Sequence, residues 1–203
     1  MNDQPVLLVL MIVVGLYVFS MWRQDYQARR RGQPHPGALP GATPVSLKAG
    51  VIAAAGALVI LGLETAGEIR LGLSQEQSTL TALFALYTLI AAFIEELIFR
   101  GFLVIEGRGK AVLWTGIFGA SVLFAALHPF LWSWEDTGFT WTLTAKGWFS
   151  TATVFTASLW FYTVRFASFN PHRSLLPCII AHATKNLGVI AIKGAQGFLA
   201  GWW

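Results

Sequence analysis

Long apolar runs separated by short polar segments are the first pattern in this chain. Runs at 5–22, 47–63, 79–106, 111–129, 148–165 and 174–193 approach or exceed the roughly 20 residues a helix needs to cross a hydrocarbon core. The fifth is the most interrupted by polar side chains. This pattern predicts an all-α protein, a polytopic transmembrane bundle of about six spans. Between the first two runs, residues 23–46 hold Pro34, Pro36, Pro40 and Pro44 with Gly32, Gly37 and Gly41. They read as a basic, extended linker with no packing of its own. The chain then divides into an N-terminal span with its linker, 1–46, and a membrane-embedded core, 47–203, whose motifs fall within 79–193.

The first run resembles the apolar part of a signal peptide, but no basic segment precedes it and no small-residue cleavage site follows. Trp22, Arg23 and Arg29, Arg30, Arg31 come next, a stop-transfer pattern, so this run is expected to remain as a span.

Composition agrees with the membrane reading. Of 203 residues, 55% are hydrophobic and 12% charged, the latter about half the share of an ordinary soluble domain. The formal charge of +4 does not call for nucleic acid, because the basic residues lie between spans. Arg23, Arg29, Arg30, Arg31 and Lys48 follow the first run, Arg108 and Lys110 the third, Arg165 and Arg173 the fifth. The alternate connections carry Glu64, Glu68 and Glu76 against Arg70, and Glu135 and Asp136 against Lys146. By the positive-inside rule both termini face away from the cytoplasm. Trp132, Trp134, Trp141, Trp148, Trp202 and Trp203 would then gather at the outer interface, where indoles are favoured. The lone Cys178 excludes an intramolecular disulfide and reads as a small core residue.

Against this background a few ionisable residues stand out. Glu95, Glu96 and Arg100 lie in the third run, His128 at the end of the fourth, His182 and Lys185 in the sixth. A charge at membrane depth costs about 2.5–3.5 kcal/mol on insertion scales, and such groups face the bundle interior and mark function. Glu96 and Arg100 stand four apart and can pair along one helix face. Glu95 points about 100° away from Glu96, into the bundle. His182 and Asn186, and Phe124 and His128, repeat the four-residue spacing. Counted from the turn at Gly107-Arg108-Gly109, Glu95 lies about 20 Å and His128 about 27 Å up their arms, with His182 and Asn186 about 12–18 Å deep. With helix tilt the four can meet near mid-bilayer.

A carboxylate, two imidazoles and a carboxamide around one cavity supply the parts for hydrolysis. A carboxylate and a histidine can bind and deprotonate a water. A second imidazole and an amide can donate to the oxyanion that forms at an attacked carbonyl.

Three motifs carry a family resemblance. Glu95-Glu96-Leu97-Ile98-Phe99-Arg100 resembles the EExxxR motif of the CAAX protease and bacteriocin-processing family. Phe124-Ala125-Ala126-Leu127-His128 is similar to its FxxxH motif, and His182-Ala183-Thr184-Lys185-Asn186 to its HxxxN motif. The resemblance implies a glutamate-dependent intramembrane endopeptidase acting on a membrane-associated, prenylated or C-terminally tagged peptide or protein. It implies that Glu95 and His128 activate the water, that His182 and Asn186 stabilise the oxyanion, and that Glu96 and Arg100 support the helix. No cofactor is expected, with zinc as the alternative because Glu and His can ligate it.

Other intramembrane protease signatures are absent from the sequence: no HExxH, no GxGD and no GxSG occurs. Ser121 and Ser158 therefore read as helix-packing residues. The expected partners are the lipid bilayer and a peptide or protein substrate within it. Two other classes stay open: a non-catalytic scaffold or bacteriocin self-immunity protein of the same fold, and a small transporter. Inverted repeats or broken helices, common in transporters, are not evident. Lys185 departs from the expected motif and would either snorkel toward a polar surface or hold a negative charge near the site.

Overall fold

In the computed structural model, residues 4–135 and 138–203 are described. They contain six α-helices: α1 (Pro5–Arg30), α2 (Leu47–Arg70), α3 (Ala82–Glu96), α4 (Lys110–Leu127), α5 (Ala145–Phe166) and α6 (Leu176–Ala195). α3 runs directly into a π-helical turn, Leu97–Phe102. Local chemistry fixes the helix starts. Ser46, Thr81 and Thr144 precede α2, α3 and α5, and their hydroxyls accept from the backbone N–H of Ala49, Phe84 and Gly147. Each cap satisfies one of the four donors a helix leaves unpaired at its start. α1 and α6 each carry a proline in the first turn, where a missing N–H does no harm.

α1, α2, α3 with its π-helical turn, and α4 are long and apolar enough to cross a membrane. In the apolar window of α1 only 22% of residues are buried, so most of that surface needs lipid rather than protein to cover it. The protein is an integral membrane protein. α5 and α6, 22 and 20 residues long, have the length for a span but carry more polar side chains. They are the helices that build the interior. α6 touches α2, α3 and α5, while α1 rests on α3 and α4 rests on α5.

Small residues allow the close crossings. α2 turns Ala49, Gly50, Ala53 and Ala57 inward, as expected where packing rather than hydrophobic expulsion joins helices in lipid. A Cβ placed at Gly56 would stand 2.1 Å from Trp160 Cζ2, and one at Gly188 2.2 Å from Leu61 Cδ2. These two glycines bring α2 against α5 and α6.

The helices outrun the apolar runs in ways that correct the sequence reading. α1 continues to Arg30, so 23–30 is helical rather than extended linker. The rest of that connection is packed. Trp22 Nε1 donates to the Pro40 carbonyl at 3.1 Å, and Leu39 N–H donates to Asp25 Oδ2 at 2.8 Å. Leu175 N–H donates to the Gly41 carbonyl at 2.9 Å, and Ser174 Oγ to the Thr43 carbonyl at 2.6 Å. α2 continues to Arg70, which places Glu64 and Glu68 on a helix rather than in a solvated loop. Arg165 is buried in the last turn of α5, its Nε donating to the Arg100 carbonyl at 3.1 Å.

Between α4 and α5 the Trp-rich connection forms an antiparallel hairpin, β1 (Trp132–Glu135) with β2 (Gly138–Trp141). Asp136, counted above among the acidic loop charges, lies outside the described residues. The C-terminal residues fold back onto the start of α3, where Ala82 and Leu83 N–H donate to the carbonyls of Gly201 and Trp202. The hairpin leads into the start of α5, whose Lys146 pairs with Glu68 near the end of α2. Connectivity thus puts the six tryptophans at one end of the bundle, and Arg29, Arg30, Arg108, Arg165 and Arg173 at the other.

Candidate active site

Glu95 and Glu96 close α3, and the helix turns them to different surroundings. The Glu96 side chain has no exposure, whereas that of Glu95 keeps 32%. The burial of Glu96 is made tolerable by its Oε1 contacts with Arg100 and His182, since an unpaired buried charge costs several kcal/mol (about 3–5). Arg100 Nη1 donates to Glu96 Oε1 at 3.1 Å, the four-residue pair expected from spacing. Arg100 Nη2 donates to the Ser158 carbonyl at 3.1 Å and to Ser158 Oγ at 2.5 Å, and Ser158 Oγ donates to Ser121 Oγ at 3.0 Å. The guanidinium also lies 4.6 Å from the Phe124 ring centroid and 4.7 Å from that of Tyr162, contacts that stabilise a desolvated cation. Arg100 thereby ties α3 to α4 and α5.

The π-helical turn sets this up. Leu103 N–H donates to the Ile98 carbonyl five residues back, at 2.8 Å. At this helix end the Phe99 and Arg100 carbonyls accept from Tyr162 Oη at 2.6 Å and from Arg165 Nε at 3.1 Å. Side chains of α5 thus take over carbonyls that a continuing helix would have used. π-helical turns occur mostly within α-helices and at functional sites.

His182 projects from α6 between the two glutamates. Its Nδ1 lies 2.9 Å from Glu96 Oε1. A carboxylate can only accept, so Nδ1 carries the hydrogen. Nε2 then faces Glu95 Oε2 at 3.8 Å, within ion-pair range but beyond a direct hydrogen bond. The ring stacks on Phe161 with centroids 4.8 Å apart and planes 22° from parallel, which removes its rotational freedom.

His128 stands immediately after α4, with its Nδ1 donating to the Phe124 carbonyl at 2.8 Å. In a neutral ring this leaves Nε2 bare and able to accept a proton. The Phe124 ring separates the two histidines, 4.9 Å from His128 and 5.9 Å from His182. Glu95, His182 and Lys185 all act electrostatically on His128. Asn186, one turn beyond His182, uses one amide hydrogen on the Thr88 carbonyl of α3 at 3.0 Å. Its second amide hydrogen and its oxygen are not spent on that contact.

Four residues of this neighbourhood escaped the sequence reading. Ser121 and Ser158, read as packing residues, relay the Arg100 hydrogen bonds. Thr88 supplies the carbonyl that holds Asn186. Glu64 pairs with Lys185, Nζ to Oε2 at 2.8 Å, and accepts from Thr153 Oγ1 at 3.2 Å. Lys185 therefore holds a negative charge rather than snorkelling. Among the described residues no three His, Cys, Asp or Glu side chains are grouped to hold a metal ion, so the donor set present does not fit a resident zinc.

Comparison with known families identifies the family of the chain. Residues 77–188, more than half of the chain, match the model of the type II CAAX prenyl endopeptidase Rce1-like family. The chain belongs to that family. The Rce1-like family is one of intramembrane proteases, and the matched region contains Glu95, Glu96, Arg100, His128, His182 and Asn186. No curated protein and no solved structure matches the chain.

Proposed function

We propose that this Rce1-like protein is a glutamate-dependent endopeptidase of a prokaryotic inner membrane, hydrolysing one peptide bond of a membrane-associated, prenylated or C-terminally tagged substrate. The observation that carries the reading is His182, hydrogen-bonded to the sealed Glu96 at 2.9 Å while its other nitrogen faces the accessible Glu95 at 3.8 Å. Both groups can reach one oxygen set to the side of the line that joins them.

In this reading Glu95, with His128 Nε2, draws a proton from a water whose oxygen attacks the scissile carbonyl carbon. The carbon–oxygen bond forms and the carbonyl electrons move onto oxygen. The oxyanion receives hydrogen bonds from the His182 ring and from the free amide hydrogen of Asn186. Collapse breaks the carbon–nitrogen bond, and the proton taken by Glu95 passes to the leaving amine. Products are a carboxylic acid and an amine, so one water is consumed and nothing else.

The test is cleavage of a candidate substrate co-expressed in membranes, comparing wild type with Glu95→Gln and Glu96→Gln and monitoring folding. Loss of cleavage in folded Glu95→Gln supports the reading; retained cleavage overturns it. A chelator that abolishes activity, with zinc restoring it, would favour a metal-dependent reaction instead.

A further inference from the structure

The β1–β2 hairpin has two unlike faces. Trp132 is opposite Trp141, and Trp134 is opposite Phe139. Opposed residues share a face, and so do residues two apart along a strand. All four aromatics therefore lie together, and Phe139 contacts each of the other three rings at 5.0–6.4 Å. The reverse face is polar, with Ser133 Oγ 2.8 Å from Thr140 Oγ1. Trp134 and Trp141 are 75% and 68% exposed. A two-stranded hairpin this short is marginal in water without something covering its apolar face.

The position of the hairpin says what covers it. It begins five residues after Leu127, the end of the membrane-length α4, so it lies at the level where the hydrocarbon core ends. Indole rings, apolar with one N–H donor, are favoured there. The only charge on the described part of the hairpin is Glu135, which gives anionic lipid no attraction. The hairpin is also tied to the site. Trp132 Nε1 donates to the Ala126 carbonyl at 2.8 Å, and the Phe130 ring stacks on His128 at 5.8 Å and 20°.

We propose that the hairpin is an interfacial foot: its aromatic face seats in the headgroup boundary of the bilayer and so fixes the depth of His128. The second half rests on the role proposed above for His128; the first does not. The test uses the full-length protein with a nitroxide at Trp134→Cys or at Thr140→Cys, in phosphatidylcholine vesicles with and without phosphatidylglycerol. Cys178 is buried and free and stays in place. The label at 134 should relax mainly with oxygen and the label at 140 mainly with a water-soluble nickel chelate, in both lipid compositions. Equal chelate access at the two positions, or lipid contact that requires phosphatidylglycerol, overturns the foot.

The second arm compares cleavage by a Trp134→Ser/Trp141→Ser double variant in vesicles and in detergent micelles. A misplaced catalytic group costs up to roughly a hundredfold, and the loss should appear in vesicles and vanish in micelles. Undiminished cleavage in vesicles overturns the link to His128. The labels report independently of Glu95→Gln, so failure of the foot and failure of the proposed chemistry are told apart.

Discussion

His182 Nδ1 and Glu96 Oε1, 86 residues apart in sequence, stand 2.9 Å from one another in the middle of the bundle. That single hydrogen bond decides which imidazole nitrogen is turned toward Glu95. The His182 ring lies between two adjacent carboxylates, one sealed against Arg100 and His182, the other open to its surroundings. A rigid orienting group behind a reacting one is the usual way to keep a site within a fraction of an ångström of working geometry.

Glu96→Gln and Arg100→Leu should therefore act on stability before chemistry. Either leaves a buried charge with fewer partners, a change worth about 3–5 kcal/mol where one member of such a pair is removed. Thermal unfolding in detergent should show a large fall in Tm for both, and no comparable fall for Glu95→Gln. A Tm for Arg100→Leu equal to wild type would mean that the Arg100 contacts with Ser158 do not hold α3 to α5.

Asn186 separates the two kinds of effect in one residue. Asn186→Ala removes the amide hydrogen proposed for the oxyanion, so kcat should fall about 10²–10³-fold. It also frees the Thr88 carbonyl, a loss of about 1 kcal/mol for one hydrogen bond. A kcat loss of that size with a nearly unchanged Tm is the expected pattern. A fall in Tm with kcat preserved would assign Asn186 to helix packing alone.

The Lys185–Glu64 pair couples the motif helix α6 to α2. Lys185→Met and Glu64→Gln should each destabilise the protein, and the double variant should cost less than their sum, because each single change strands a buried charge. A double-mutant cycle on unfolding free energies checks this. Additive losses would show that the two side chains do not interact energetically.

Gly56 tests the packing. Gly56→Val places methyl groups where Trp160 already lies, 2.1 Å from the position of a Cβ, and overpacking of this kind costs about 1–3 kcal/mol. The expected result is a lower Tm with reduced yield of folded protein, whereas Gly62→Ala, where a Cβ meets nothing within 4 Å, should be silent.

How much of this the sequence revealed depends on what each signal measures. Apolar runs report contact with lipid, so they located every helix, but they stopped where polar side chains began. α2 was ended at 63 because Glu64 and Glu68 follow, yet those carboxylates stay helical since Lys185 and Lys146 meet them from distant parts of the chain. The four-residue interval between Glu96 and Arg100 was enough to expect their pair, which lies within one helix. The Glu96–His182 contact was not accessible that way, because two separate helices have to be docked first. Alternation in Trp132-Ser133-Trp134-Glu135 was present in the sequence, but tryptophans near a membrane also gather without forming strands, so composition alone read it as an interfacial anchor. Ser121 and Ser158 carried no signal beyond small size; their role comes from the buried guanidinium beside them.

The π-helical turn has a consequence for how this region tolerates mutation. A π-turn holds one more residue than an α-turn over the same length of axis, so a single deletion between Leu97 and Phe102 would not break the helix but convert it to ordinary winding. Residues beyond the deletion would keep roughly their place on the helix, while those inside the turn would lose the positions that the wider turn gives them. Substitutions here act one contact at a time, whereas tightening the turn by one residue would shift the Phe99 carbonyl and Arg100 relative to Tyr162 and Ser158 together. The segment is therefore far less tolerant of length change than of residue change.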